Sequence, residues 1–131
     1  MKSIDHIGIA VNNLTQVIEI YKDILGFEYL GEEIVKDQGV KIAKFDCNGV
    51  HLEFLEPISD YSPIKKFLET KGQGIHHIAY KCDNIIEKIE LLKQKGIKMI
   101  NDTPKEGSNN TKIAFLHPKS AIVLTELVQG G

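Results

Sequence analysis

The chain contains one stretch twice, the copies 71 residues apart. The first reads Ile4-Asp5-His6-Ile7-Gly8-Ile9-Ala10, and the second reads Ile75-His76-His77-Ile78-Ala79-Tyr80-Lys81. In each copy a histidine stands third in a short apolar strand, a turn containing Asn or Asp follows, and a helical pattern then begins. The identical pairs are Ile4 and Ile75, His6 and His77, Ile7 and Ile78, Asn13 and Asn84, Ile18 and Ile89, Glu19 and Glu90, and Lys22 and Lys93. Such a duplication restricts the fold to two similar halves.

A strand at the end of each half repeats as well, and it carries a glutamate in both copies. Glu53 and Glu126 follow His6 and His77 by 47 and 49 residues, respectively. Each half therefore contributes one histidine and one glutamate at equivalent places.

Composition excludes several classes of protein. A length of 131 residues corresponds to about one domain, and 42% hydrophobic with 26% charged residues is typical of a globular chain. The net charge of −2 gives no basic surface for nucleic acid. No apolar run approaches the roughly 20 residues of a membrane helix, and the chain enters a strand without a signal peptide, so we expect a cytoplasmic protein. Cys47 and Cys82 lack metal-type spacing and are expected to be reduced core thiols.

Periodicity and turn residues predict the elements of the first half. After a strand over 3–10, the Asn12-Asn13 turn caps a helix that Gly26 ends. The apolar stripe of this helix comprises Leu14, Val17, Ile18, Tyr21, Ile24 and Leu25. Strands follow from Phe27, over 40–46 after the turn at Gln38-Gly39-Val40, and over 50–55 after the Asn48-Gly49 hairpin signal. The first half is thus β-α-β-β-β.

The remaining sequence predicts a connecting helix and a second unit. Ser62-Pro63 starts the connecting helix and Gly72 ends it. The second half is predicted as a strand over 75–81, a helix capped by Asp83 with Ile86, Ile89 and Leu92 on its apolar face and Gly96 at its end, a strand over 97–101, a polar loop over 102–111, a strand over 112–116, a loop over 117–120 and a strand over 122–128.

These elements predict an α+β fold built from two tandem βαβββ units. The repeat halves span 3–57 and 75–129, the linker spans 58–74, and we expect a single domain over 1–131 with pseudo-twofold symmetry. Neither half easily covers both faces of its own sheet, so the two sheets should curl against each other.

The repeated histidines and glutamates favour a metal site. A single His6 in an apolar strand is usually a structural residue, and Glu53 alone could point to solvent. If the halves superpose, however, His6, Glu53, His77 and Glu126 converge, and burying them without compensation would be costly. A divalent cation such as Zn²⁺, Co²⁺, Ni²⁺, Mn²⁺ or Fe²⁺ suits these donors. Two remaining coordination positions could bind a substrate through two oxygens, stabilising an enolate while a carboxylate moves a proton.

Several motifs resemble those of a known group of proteins. They are Asp5-His6-Ile7-Gly8-Ile9-Ala10-Val11, Gln38-Gly39-Val40, Leu55-Glu56-Pro57, Ser62-Pro63-Ile64, Gly74-Ile75-His76-His77-Ile78-Ala79 and Ala114-Phe115-Leu116-His117-Pro118-Lys119-Ser120. With the repeated halves, they resemble the vicinal oxygen chelate superfamily, which includes glyoxalase I, extradiol dioxygenases and bleomycin-type resistance proteins. Within it the chain is most similar to the methylmalonyl-CoA epimerase family.

This resemblance implies a curved, metal-centred sheet and inversion of a small-molecule thioester at C2. By position, His6, His77 and Glu126 fall on metal ligands and Glu53 falls where the family has a Gln or Glu ligand. Glu126 would also be an acid/base residue. The resemblance further implies a homodimer and a Co, Ni, Zn or Mn ion. The substrate-binding candidates are Lys112, His117, Lys119 and Ser120.

The chain departs from the family pattern at two places. A second catalytic carboxylate, present in some members, would fall near Ile42, which cannot transfer protons, so another base or a water is needed. Ala121 leads directly to Ile122, whereas relatives have a glycine-containing step. His51 could support the metal ligands or simply be a half-exposed strand residue. His76 points away from His77 by strand alternation and is expected to be structural.

Two alternative functions remain open. Glyoxalase I would use the same ligands and similar enediolate chemistry on a glutathione hemithioacetal, although the HPKS segment favours the epimerase. A drug-binding resistance module of the same fold would not need paired His and Glu ligands. A fourth protein ligand argues against an Fe²⁺ oxygenase, which uses a facial triad with open positions.

Overall fold

The computed structural model describes residues 3–130, which form two compact units, one of residues 6–76 and one of residues 3–5 and 77–130. The elements are β1 (Ile4–Ala10), α1 (Leu14–Ile18, continued by a π-helical segment, Glu19–Ile24), β2 (Glu28–Val35), β3 (Val40–Cys47), β4 (Val50–Pro57), α2 (Pro63–Lys71), β5 (Gly74–Lys81), α3 (Ile85–Gln94), β6 (Lys105–Glu106), β7 (Lys112–Leu116), α4 (Pro118–Ala121) and β8 (Thr125–Gln129). The predicted α+β fold of two tandem βαβββ repeats is confirmed. Across residues 3–130, none of the helices has the length and apolar character needed to cross a bilayer.

In the unit of residues 6–76 the strand order is β2-β3-β4-β1, with β1 parallel to β4 and the other neighbours antiparallel. One face of these strands packs against α1 through a core that includes Phe45 and Phe54. Alternate residues point to the other face, where Ile42 and Leu55 pack with Ile64 of α2. The predicted hairpin is present, because Asn48 and Gly49 both have positive φ, at 53° and 93°.

The second unit repeats this plan with the strand order β5-β8-β7-β6. Strands β5 and β8 are parallel, and the other neighbours are antiparallel. Helix α3 buries Ile85 and Ile89 against a core that includes Ala114, Leu116 and Leu127.

Each repeat fixes the start of its first helix with two side chains. Asn13 caps α1 and accepts a hydrogen bond from the N–H of Gln16, as the sequence predicts. In α3 the cap is Asn84, whose side chain accepts from the N–H of Glu87, so the predicted cap at Asp83 is wrong by one residue. The other side chain lies near the end of β4 or β8 and accepts a hydrogen bond from the first N–H of the helix. Glu56 accepts from Leu14 of α1, and Gln129 accepts from Ile85 of α3.

The predicted apolar stripes are correct only in part. The stripe of the first helix fails at Ile24 and Leu25, which are 71% and 55% exposed. The segment from Glu19 is π-helical, and its wider turn rotates these side chains off the face that Leu14 and Val17 define. In α3 the buried residue is Ile85, not Ile86, since the helix begins one residue later than its predicted cap implied.

The predicted strand over 97–101 is wrong, since only an isolated bridge joins Met99 to Leu116. The Asn101 side-chain oxygen accepts from the N–H of Phe115 at 2.9 Å, which removes the donor that a longer ladder would need. The short β6 lies instead in the predicted loop over 102–111.

The predicted loop over 117–120 contains the single helical turn α4, and the last strand begins at Thr125 rather than at Ile122. The expectation of two core thiols is also wrong for Cys47, which is exposed, whereas Cys82 is partly buried. Both cysteines lie within residues 3–130 and are free thiols.

Candidate active site

In the unit of residues 6–76, β1 and β4 bring His6 and Glu53 together. The parallel register sets Gly8 beside Glu53, and His6 lies two residues earlier on the same face. His6 Nδ1 lies 3.5 Å from Glu53 Oε2, and the two residues are only 5% and 4% exposed. The structure thus brings two of the four predicted donors together, and their role as metal ligands stays a prediction.

The second unit contains an equivalent pair on β5 and β8. The register sets Ala79 beside Glu126, and His77 Nε2 lies 2.9 Å from Glu126 Oε1. His77 and Glu126 are 6% and 4% exposed. The ring of Phe115, which lies opposite Glu126 on β7, meets the imidazole edge to face at 5.4 Å between centroids. An apolar ring therefore shields this pair from solvent.

Four buried side chains of this kind have the chemistry of a cation site. A buried carboxylate is costly unless a positive charge or hydrogen-bond donors compensate it. Imidazole nitrogens and carboxylate oxygens are also the donors that divalent transition metals and Zn²⁺ prefer. These residue types thus fit a divalent cation, and the sequence prediction that all four bind one ion stays a prediction.

Sequence reasoning missed an ion pair beside Glu53 in which the lysine is buried and the glutamate is partly exposed. Lys44 of β3 stands directly opposite Glu53 and is 6% exposed, and its Nζ lies 3.4 Å from Glu33 Oε1 on β2. A signal was available, because Lys44 shares strand parity with Val40 and Ile42 and therefore falls on a face expected to be buried.

Ile42, where the resemblance places a second carboxylate, is 4% exposed and packs with Leu55 and Ile64. Ile42 is therefore a residue of the hydrophobic core. His51, next to the His6–Glu53 pair along β4, is half-buried, and its Nε2 lies 3.9 Å from Asp46 Oδ1.

On the face of β2 and β3 that packs against α1, Glu32 and Lys41 form a surface ion pair at 2.9 Å. A hydrogen bond from Lys41 lowers the pKa of Glu32 and the same bond raises the pKa of Lys41. His76 of β5 contacts Phe67 of α2 edge to face, with the centroids 5.0 Å apart.

The substrate-binding candidates lie around β7 and α4. Lys112 is exposed and its Nζ contacts Glu106 Oε1 at 2.5 Å, while Lys119 is an exposed residue of α4. His117 caps α4 by accepting from the N–H of Lys119, and Ser120 Oγ accepts from the N–H of Lys98 at 2.9 Å. These contacts hold the HPKS segment in place, and the roles of its side chains toward a substrate stay predictions.

The segment between α4 and β8 contains an unusual backbone conformation. Ile122 has φ 76° and ψ −48°, and its side chain is 91% exposed. Positive φ is rare for a β-branched residue. This is the place where the sequence lacks the glycine-containing step of the resembling family.

Comparisons with known proteins agree with this geometry. Residues 5–115 match the glyoxalase/bleomycin resistance protein/dioxygenase superfamily. The chain is 40% identical over 130 residues to the uncharacterised protein YqjC of Bacillus subtilis, covering 98% of this chain and 93% of that protein. It is 35% identical to the solved methylmalonyl-CoA epimerase of Mycobacterium tuberculosis, with a TM-score of 0.93 and coverage of 98% and 87%. A solved methylmalonyl-CoA epimerase in complex with methylmalonyl-CoA and NH₄⁺ is 37% identical, with a TM-score of 0.90 and coverage of 98% and 94%.

Proposed function

Since the chain belongs to the glyoxalase/bleomycin resistance protein/dioxygenase superfamily, with racemase/epimerase enzymes among its relatives, we propose that it epimerises methylmalonyl-CoA or a related acyl-CoA at C2. The observation that carries the proposal is the presence of one buried His–Glu pair in each repeat. The relative solved with methylmalonyl-CoA supports the substrate class, a small-molecule thioester.

In this proposal His6, His77 and Glu126, together with Glu53, hold one divalent metal ion. Their imidazole and carboxylate donors suit Co²⁺, Ni²⁺, Zn²⁺ or Mn²⁺. When bound, the cation supplies a Lewis acid that polarises the thioester carbonyl and stabilises the enolate.

The protein's own residues then move the proton. Glu126, the acid/base residue that the family resemblance implies, takes the C2 proton on one face of the substrate or returns it there. The four donor residues are 4–6% exposed, so little water reaches the carboxylates. Low solvent access would strengthen the attraction between a cation held by these residues and the negative charge that develops on the thioester carbonyl.

Metal dependence and substrate can be tested together. The purified protein is stripped of metal and restored separately with Co²⁺, Ni²⁺, Zn²⁺ or Mn²⁺, and deuterium uptake from D₂O at C2 of methylmalonyl-CoA is followed. We expect exchange only with metal, and loss of at least about 100-fold in Glu126→Ala. Glu90→Ala, which removes an exposed carboxylate from α3 in the same unit, is the matched control.

The methylglyoxal–glutathione hemithioacetal is assayed in parallel. Turnover of this compound instead of the CoA ester would reassign the protein as a glyoxalase I. Inactivity on both substrates with metal bound would contradict the proposal. A protein that binds no cation, with ligand binding unaffected by His6→Ala, would favour the drug-binding module.

The homodimer is part of the same proposal. Ile24, Leu25 and Ile34 are large apolar side chains that are 55–71% exposed in the unit of residues 6–76, and a dimer contact would remove such surface from water. Gel filtration at low micromolar concentration should give about twice the 14.7 kDa chain mass. Elution at the monomer mass would contradict the dimer.

A further inference from the structure

The proposed epimerisation, on which this inference rests, needs two proton carriers. Loss of the C2 proton leaves a planar enolate, and inversion requires that a proton return to the opposite face. A fixed carboxylate such as Glu126 serves one face only. Ile42 contributes no titratable group and is buried in the core. The second carrier must therefore be another residue of the chain or a water.

The strand register places one carboxylate beside Ile42 on the face of Glu53. Directly opposed residues of antiparallel strands point to the same face. Lys44 opposes Glu53, and Glu33 opposes Ile42. Since Ile42 and Lys44 are two residues apart, they also share that face. Glu33 thus lies on the face of the His6–Glu53 pair, one strand beyond Ile42.

Lys44 holds the Glu33 carboxylate over this face. Its ammonium is 3.4 Å from Glu33 Oε1, and its side chain is 8% exposed while that of Glu33 is 31% exposed. Lysine is almost never buried unless it is paired. The neighbouring Glu32–Lys41 pair differs, because it lies on the other face with side chains 34% and 40% exposed. The buried ammonium group of Lys44 therefore holds Glu33 on the inner face of β2, whereas the adjacent Glu32 is a surface residue.

We propose that Glu33 is the second proton-transfer residue and that Lys44 is its positioning residue. In one direction the C2–H bond breaks, its electron pair enters the enolate and the proton goes to a Glu33 oxygen. A new C2–H bond then forms on the opposite face with a proton from the Glu126 carboxyl group. After this turnover Glu33 releases its proton to solvent and Glu126 takes one up. The other epimer reacts in the reverse order, and nothing is oxidised or reduced.

The test uses each C2 epimer of methylmalonyl-CoA separately, in D₂O, with the metal-loaded protein. In Glu33→Gln we expect inversion to fall at least about 100-fold, while the epimer that Glu126 serves still exchanges its C2 proton within about threefold of the wild-type rate. Glu32→Gln is the matched control and should leave both rates unchanged. Metal content, measured by mass spectrometry, should be equal in all three proteins.

Lys44 is tested by the same assay. Lys44→Met should lower kcat more than it changes KM and show the same one-sided exchange, and Lys44→Arg should restore part of the inversion because it keeps a cation beside Glu33. Wild-type inversion in Glu33→Gln, or equal loss of exchange from both epimers, would overturn the assignment. A wild-type protein that exchanges neither epimer would instead overturn the proposed function, and this inference with it.

Discussion

Replacing Ile122 with glycine should stabilise the protein, although glycine usually does the opposite. Ile122 adopts φ 76° and ψ −48°, close to the rare and strained classic γ-turn, with its N–H bonded to the carbonyl of Pro118 at 2.7 Å. A non-glycine residue in such a region costs on the order of 1–3 kcal/mol. This hydrogen bond and the start of β8 at Thr125 keep Ile122 in that conformation.

Two terms oppose the gain in Ile122→Gly. The side chain is 91% exposed, so its loss removes less than about 0.3 kcal/mol of burial energy. Greater freedom of glycine in the unfolded chain costs about 0.4–1 kcal/mol. The net expectation is a gain of about 1 kcal/mol in the free energy of unfolding. For 131 residues this corresponds to a rise in Tm of about 3–4 °C.

Urea and thermal unfolding followed by circular dichroism measure the effect. Ile122→Asn should gain less, because asparagine tolerates positive φ but keeps a Cβ atom. Ala121→Gly, one residue earlier in α4, should lose about 0.5–1 kcal/mol and serves as the control. If Ile122→Gly were less stable than the wild type by about as much as Ala121→Gly, the strain argument would be refuted.

Three further predictions test the fold. Because Asn84 makes the capping bond, Asn84→Ala should lower the free energy of unfolding by about 1 kcal/mol in urea titrations, and Asp83→Ala should change it by less than about 0.5 kcal/mol. A larger loss in Asp83→Ala than in Asn84→Ala would contradict the assignment of the cap. Phe54→Ala should cost about 3–5 kcal/mol in the same assay, since Phe54 is 2% exposed, and a cost below about 1 kcal/mol would contradict its place in the core. Burial raises the pKa of the Cys82 thiol, so exposed Cys47 should react faster with iodoacetamide at pH 8, as followed by peptide mass spectrometry. Faster labelling of Cys82 would contradict its burial.

Sequence reasoning singled out His6, Glu53, His77 and Glu126 because duplication supplies an internal comparison. Neither His6 nor Glu53 alone indicates a metal site, but the recurrence of both at similar spacing indicates that they act together. The hairpin at Asn48-Gly49 was equally accessible, since few residue pairs adopt consecutive positive φ values. Local signals of this kind do not depend on which elements later pack together.

Errors arose where neighbouring residues have the same local preference. Asp83 and Asn84 are both good caps, and Ile85 and Ile86 are both apolar, so a shift of one residue in the cap also moves the predicted buried face. The choice depends on a tertiary contact, because the side chain of Gln129 accepts from the N–H of Ile85 at 2.6 Å. No property of residues 83–86 alone encodes that bond.

Strand parity in the sequence indicates that Lys44 is buried, but the sequence does not identify Glu33 as its partner. Which face Glu33 occupies depends on its register with β3, and that register shifts at an irregularity between Tyr29 and Gly31. An extra residue in one strand moves every later side chain to the other face. Without the register, Glu32 and Glu33 are equivalent glutamates in the sequence. The structure separates them into a surface residue and one that pairs with Lys44 on the sheet face that carries Glu53.

The repeat also explains how a short duplicated unit can carry a functional pair. Three residues after each glutamate of the pairs, a side chain near the end of the same strand accepts a hydrogen bond from the first N–H of the helix in that unit. Glu56 accepts from Leu14 of α1 at 2.8 Å, and Gln129 accepts from Ile85 of α3 at 2.6 Å. The strand that supplies Glu53 or Glu126 is thereby tied to the helix that follows the histidine strand. Each His–Glu pair is fixed by contacts within its own unit, so duplication of the unit copies the pair together with the bonds that position it.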